Sequence, residues 1–311
     1  MKNERLGTME LISDTLNAQK EIEDCINTNG HANEHNYGYY QWIEEPPRKN
    51  VFIKFEKKRG ILAQYSDNTK SWYFISTPIA KKEESIILML ESLDFLFKKK
   101  KAKKVMLELN SNLRKMLISA IKNSSLSIGQ NNYVYHWPVF DMKNWNGYEL
   151  KGKKWKKIRN IRNSFYKLNR VSVEDSRNVP SENLRKIVND WLKQRSGIDR
   201  PMYRRYFNMV SQNFNGVDFA RTLIVNEEPC SITAGWKIPN SNNYYSGVGI
   251  YNYKHKHIGE ISNLDDLLFL KKKGFEEVDF GGSGKTLLQF KMKFNPSYIY
   301  KTYSFPVVRK N

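Results

Sequence analysis

The sequence predicts an α/β (α+β) protein made of two similar domains, each a mixed twisted sheet flanked by helices. Three observations predict it. Short runs rich in aromatic and β-branched residues alternate with apolar repeats at three- and four-residue spacing. Both halves of the 311-residue chain carry these runs in the order β-β-β-α-β-α-β. Between the halves lies DMKNWNGYELKG at 141–152, a polar stretch with two glycines and no periodicity. The expected domains are 1–145 and 146–311.

In the first half, VFIKFE at 51–56, ILAQY at 61–65 and SWYFIS at 71–76 read as strands. Ile86, Leu90, Leu93 and Phe97 recur at helical spacing, and the lysines from Lys98 onward suit the negative end of that helix dipole. A strand at 104–109, a helix at 111–122 and a closing strand at 133–140 complete the half. The second half opens with a basic helix whose apolar stripe is Trp155, Ile158, Ile161, Phe165 and Leu168. A second helix starts at Pro180-Ser181 and buries Leu184, Ile187, Val188, Trp191 and Leu192. Strands at 218–225, 230–238 and 243–251 precede a helix expected from Ser262 to the Gly274 cap, then a strand at 276–280, a short helix at 285–294 and a strand at 298–305.

Composition sets the chemical class. The net charge of +20 draws polyanions such as RNA or an anionic membrane surface, although biased lysine usage alone also produces such a charge. Clustering separates the two, because Lys151 to Arg170 holds nine basic residues and no acid. Cys25 and Cys230 are too few for a disulfide framework or a zinc cluster. His255 and His257 would share a face on a strand but lack a third ligand, so no metal is expected. No apolar run is long enough to span a bilayer, and the N-terminus lacks the apolar core of a leader. The expected location is cytoplasmic, at most peripheral to the inner membrane surface.

The stretch FGGSGKT at 280–286 resembles a phosphate-gripping loop only at first sight. The P-loop spacing puts its first glycine five positions before Gly284, and that slot is Asp279. The stretch reads instead as a glycine turn leaving a strand, close to a ligand or simply tight.

The closing run VDFGGSGKTLLQFKMKFNPSYIYKTYSF resembles the closing segment of tandem GNAT acyltransferases: Fem-type peptidoglycan aminoacyltransferases and the lysylphosphatidylglycerol synthase C-terminal (DUF2156-like) domain. There a D-F-G-x-S motif, an F-K-x-x-F motif and a tyrosine-rich strand follow one another. GKKWKKIRNIRNSFYKL and DWLKQR are similar to the helices that open the second domain in these families. The resemblance covers 150–311 by motif and the first half by topology, which makes 1–145 a degenerate GNAT-like domain.

The resemblance implies acyl transfer to an amine or hydroxyl, with aminoacyl-tRNA as donor and acyl-CoA as the alternative, and no tightly bound cofactor. A binding module that keeps the fold without the chemistry is the rival from another class. Acyl-CoA enzymes grip pyrophosphate with a run like R-x-x-G-x-G; Tyr253 to Glu260 keeps basic character and one glycine but carries an acid where glycine is expected. Lys254, His257 and Gly259 are the candidate donor-binding residues there, with Gly281, Gly282 and Ser283 in the glycine turn. Lys291 of F-K-x-x-F is the candidate oxyanion support, Asp279 and Glu260 are the candidate bases, and Tyr300 is a candidate lining residue. Lys291 could point back along its helix toward Asp279, with Leu287, Leu288, Phe290 and Phe294 packing inward and Lys293 facing away. Lys153, Lys156, Lys157, Arg159, Arg162 and Lys167 are expected to meet tRNA or another polyanion. The acceptor is a small molecule or a lipid that the sequence does not specify.

Overall fold

A computed structural model describes residues 9–195 and 203–310. The first eight residues, part of the stretch read for a leader, lie outside the described residues. The chain divides into two compact units: one holds the residues up to Tyr135, Ile238–Ser241 and the chain from Lys301, the other His136–Lys237 and Asn242–Tyr300.

The first unit begins with β1 (Glu10–Ile12), α1 (Gln19–Asn29) and α2 (Tyr37–Trp42). The expected strands follow as β2 (Arg48–Phe55), β3 (Arg59–Ser66) and β4 (Ser71–Phe74), and the periodic helix as α3 (Ser85–Lys98). Then come β5 (Lys104–Asn110), α4 (Ser111–Ile121) and β6 (Leu126–Ile128), followed by β7 (Tyr133–Asp141), whose residues from His136 belong to the second unit. Asn110 starts α4 by accepting the N–H groups of Asn112 and Leu113 at 3.1 and 3.0 Å. Leu88, Met89, Leu93, Leu96 and Phe97 of α3 pack with Leu113 and Leu117 of α4 into the core of this unit.

The second unit continues with α5 (Lys156–Leu168), β8 (Val171–Asp175), α6 (Ser181–Lys193), α7 (Arg204–Ser211), β9 (Phe219–Val225), β10 (Glu228–Lys237) and β11 (Tyr244–Tyr251). It ends with α8 (Ile258–Lys272), β12 (Glu277–Asp279) and α9 (Lys285–Lys291), and the chain closes with β13 (Tyr298–Arg309), whose residues from Lys301 belong to the first unit. Antiparallel β8, β9, β10 and β11 lead through α8 to β12, which runs parallel to β11. The first unit repeats the device: antiparallel β1 to β4, then α3, then β5 parallel to β4.

The closing strands change places. β7 follows α4 in sequence but pairs antiparallel with β12, while residues 302–307 of β13 pair antiparallel with β5. Each strand thus completes the sheet of the unit from which its own half does not come. Strand-like composition marks β7 and β13 as strands, but the choice of antiparallel partner rests on contacts far away in sequence.

Two elements differ from the sequence expectation for physical reasons. The helix expected from Ser262 begins at Ile258, because Ser262 is no cap: its hydroxyl is buried and lies 2.8 Å from that of Ser231 on β10. His257 precedes the helix in the left-handed region with no side-chain cap, so the usual start signal is absent. Leu168, assigned to the apolar stripe of α5, is 75% exposed, whereas Trp155, Ile158, Ile161 and Phe165 are buried. It is the last residue of the helix, where the stripe has run past its partner.

A polar seam seats α8 on the sheet. Asp266, 4% exposed, accepts from Thr233 at 3.1 Å and Ser246 at 3.2 Å, on β10 and β11. Burial pushes its carboxyl up, against the pull of Arg221. Leu264, Leu267 and Leu270 fill the apolar side of the same helix. Leu267→Ala is expected to cost about 2–5 kcal/mol in chemical denaturation, because a fully buried side chain leaves a cavity. Leu168→Ala should stay within about 0.5 kcal/mol of the parent.

Candidate active site

The site forms where β12 ends. Asp279 closes the strand, and Phe280 to Ser283 turn the chain into α9. Gly281 takes φ +76, in the left-handed region that favours glycine. Asp279, 6% exposed, accepts the Gly281 N–H on Oδ1 at 2.8 Å and the Tyr300 hydroxyl on Oδ2 at 2.6 Å. The turn is stitched to β7 by reciprocal backbone bonds between His136 and Ser283, at 3.0 and 2.9 Å. The Ser283 hydroxyl donates to the Gly281 carbonyl at 3.2 Å.

Glycine at 282 gives the Trp137 ring room. A Cβ there would stand 3.0 Å from the indole of Trp137. Trp137 stacks on Tyr300 with ring centroids 5.7 Å apart and planes 10° apart, and lies 6.2 Å from Tyr245. These rings wall the turn with aromatic surface.

Lys291 points back into this turn. Its Nζ donates to the carbonyls of Phe280 and Gly281, the latter at 3.0 Å. Desolvation lowers the ammonium from its ordinary value to about 8, while the Asp279 charge works in the opposite direction. An ammonium has three donors, so two carbonyls leave one N–H for another acceptor.

A second cluster lies at the start of α8. Glu260 is 8% exposed; its Oε1 receives Lys293 Nζ at 2.8 Å and lies 3.5 Å from His257 Nδ1. Burial alone would raise this carboxyl, but the hydrogen bond and charge of Lys293, with its own backbone N–H and His257, hold it below the ordinary carboxylate value. A Cβ on Gly259 would meet the Phe290 ring at 3.3 Å and the Tyr251 ring at 3.4 Å. Gly259 therefore serves the packing of α9 against α8. Counted from Gly259, the second glycine slot of R-x-x-G-x-G is Ile261, 1% exposed; the acid noted in the sequence, Glu260, lies between the two slots.

The structure thus brings Lys291, Asp279, Tyr300, Gly281, Gly282 and Ser283 together, and sets Glu260, His257 and Gly259 in the adjoining cluster. Lys254 is tied to the Glu228 carboxylate, which also lies 3.5 Å from Lys186. Lys293, expected to face away, is instead the partner of Glu260. Of the expected inward residues, Phe294 is buried, whereas Leu287 is 40% exposed. Trp137 and Tyr245 are not among the site residues expected from sequence; the alternating aromatics of YVYHWPVF at 133–140 are a signal that could have found the first.

On the basic helix, Lys156, Lys157 and Lys167 are exposed, as is Lys153 in the 3-10 turn before it. Arg159 is used internally, donating to the Leu150 carbonyl and, at 3.4 Å, to that of Gly152. Arg162 is half-buried, 3.4 Å from the Asn163 side-chain oxygen.

Residues 48–245 match the family model described as phosphatidylglycerol lysyltransferase, C-terminal. The chain belongs to this family. It is an acyltransferase with a GNAT-like fold. Among solved structures it is similar to L-PGS from Bacillus licheniformis, with a TM-score of 0.67 and 14% identity over 94% of this chain and 92% of that one. It is also similar to FemX, with a TM-score of 0.61 and 11% identity over 94% and 96%. A tandem GNAT protein from the clavulanic acid biosynthesis pathway follows at 0.54 and 9%, over 97% and 98%. No curated protein matches the sequence. Among the described residues no helix is long and apolar enough to cross a membrane.

The Glu260 cluster makes a direct prediction. In Lys293→Met burial loses its main opponent, so the Glu260 carboxyl should titrate at a higher pH than in the parent. A carbon-13 NMR titration of labelled glutamate reads the move.

Proposed function

We propose that the protein transfers an aminoacyl group from charged tRNA to a hydroxyl or amine on an acceptor, with a lipid headgroup hydroxyl as the acceptor that the family favours. The observation that carries this reading is the desolvated Lys291 ammonium, held on two carbonyls with a donor to spare. In the transfer, the acceptor oxygen or nitrogen bonds to the ester carbonyl carbon, and the carbonyl oxygen takes up negative charge. The bond to the tRNA ribose oxygen then breaks, and the proton lost by the acceptor ends on that oxygen. Lys291 stabilises the oxyanion, where a positioned cation in a partly dry site acts most strongly.

Asp279 and Tyr300 act as positioning residues in this reading. Both Asp279 oxygens are bonded, so the carboxylate shapes the Gly281 turn on which Lys291 rests. The general base is left to the acceptor site or to water. Glu260, held in its charged form by Lys293, favours tRNA over CoA for a different reason: its carboxylate takes the backbone N–H at the first turn of α8, where a pyrophosphate would sit. The exposed lysines of α5 supply a sequence-independent hold on RNA phosphates.

Incubation with tRNA carrying a labelled amino acid, beside labelled acetyl-CoA, tests the donor: label should leave the tRNA and reach lipid, and acetyl label should not move. Lys291→Met should lower turnover on the order of 100-fold. Lys285→Met, at the exposed start of α9, should not. Because the ammonium must stay protonated, the rate should fall as pH rises through about 8. In Lys291→Arg that limb should vanish. Transfer from acetyl-CoA instead of tRNA would reverse the reading.

A further inference from the structure

The run Lys98 to Lys104 places six lysines in seven positions, KKKKAKK, between α3 and β5. One of them is explained by the helix, since Lys98 lies in the last turn of α3 and pairs with Asp94 at 2.7 Å. Lys99 is the C-cap of that helix, and Lys101, Lys103 and Lys104 extend past the reach of its dipole. Lys99, Lys100, Lys101 and Lys103 are exposed.

The fold adds further cations from distant segments. Arg309 donates to the Phe97 carbonyl at the end of α3. Lys310 Nζ donates to the carbonyls of Lys122 at 3.1 Å and Ser124 at 2.7 Å, just beyond α4. The Lys103 N–H bonds the Lys70 carbonyl at 2.9 Å. Four segments of the first unit therefore converge on one basic face. An open depression of about 510 Å³, lined by Ala102, Lys103, Ser127, Val308, Arg309 and Lys310, lies within it. Asp67, Glu91 and Asp94 are acids near in sequence to the lysines of these segments.

We propose that this face docks the protein on an anionic lipid bilayer. The character of the cations selects the occupant. All are lysines except Arg309, whose guanidinium is engaged by Phe97, so the face offers hydrated point charges on flexible stems in place of planar forks. Phe95, the ring that Lys100 approaches at 6.0 Å from its centroid, is only partly exposed and so is a poor platform for base stacking. A dense lysine cluster is what a diffuse sheet of lipid phosphates attracts, with a reach of about a Debye length. The basic helix α5 differs, since Arg162 and the 47% exposed Tyr166 accompany its lysines.

The docking is tested without any aminoacyl donor, so its failure is distinct from failure of the transfer reading. Flotation compares vesicles of phosphatidylcholine with vesicles of equal parts phosphatidylcholine and phosphatidylserine. Phosphatidylserine supplies the charge while avoiding recognition of phosphatidylglycerol as an acceptor. The parent should float with the anionic vesicles alone and release in high salt. The combined variant Lys99→Gln, Lys100→Gln, Lys101→Gln and Lys103→Gln should lose at least about tenfold in apparent affinity. Its tRNA binding should be unchanged. Lys153→Gln, Lys156→Gln and Lys157→Gln together should show the opposite pattern. Vesicle binding retained by the four-lysine variant overturns the proposal, as does a variant that loses tRNA and keeps vesicles, which would make the face an RNA surface.

Discussion

A lysine ammonium taken partly out of water and set on the carbonyls of Phe280 and Gly281 is the constraint on which the candidate site depends. It ties the last residue of α9 to the end of β12. Neither group could be left alone at little cost, because unpaired buried polar groups are expensive. Asp279 supports the arrangement from the other side by fixing the Gly281 N–H and orienting Tyr300, which stacks on Trp137. The result is a cation whose direction is set before any substrate arrives. Such preorganisation is what lets a single charge act on a developing oxyanion.

The same short helix governs the neighbouring cluster. Lys291 and Lys293 lie two residues apart, yet one meets backbone carbonyls and the other a carboxylate. Their difference follows from where α9 gives way to the 3-10 turn Met292–Phe294 and from the fully buried Phe294 that anchors the turn. Gly259 allows α8 to approach Phe290 closely, which brings Glu260 within reach of Lys293. An acid in the first turn of α8 is thus held by its own N–H and a lysine.

Much of the fold was legible in the sequence. The strands from Arg48 to Phe74 and from Phe219 to Tyr251 announce themselves by aromatic and β-branched residues, and α3, α5 and α6 by periodic apolar faces. The glycine turn was legible too, because FGGSGKT fails the P-loop spacing and follows an apolar strand. Less legible were α1, α2, β8 and α7, whose short, mixed-polarity segments gain order from packing more than from pattern. The exchange of β7 and β13 was beyond reach, since Phe140 meets Val278 and Thr302 meets Asn110 across more than a hundred residues. At the site, the residue types of Lys291 and Asp279 were readable, whereas their roles depended on partners supplied by the turn. Trp137 shows the limit most clearly: its strand was evident, but its place beside Gly282 follows only from the β7 and β12 pairing.

The most direct test is the titration of the Lys291 ammonium itself. Lysine labelled with carbon-13 at Cε gives one resonance per side chain, and assignment follows from the signal missing in Lys291→Met. The account predicts that the Lys291 resonance titrates near 8. If every lysine instead titrates near the ordinary value of about 10.4, the ammonium is solvated and the turn does not hold it as described.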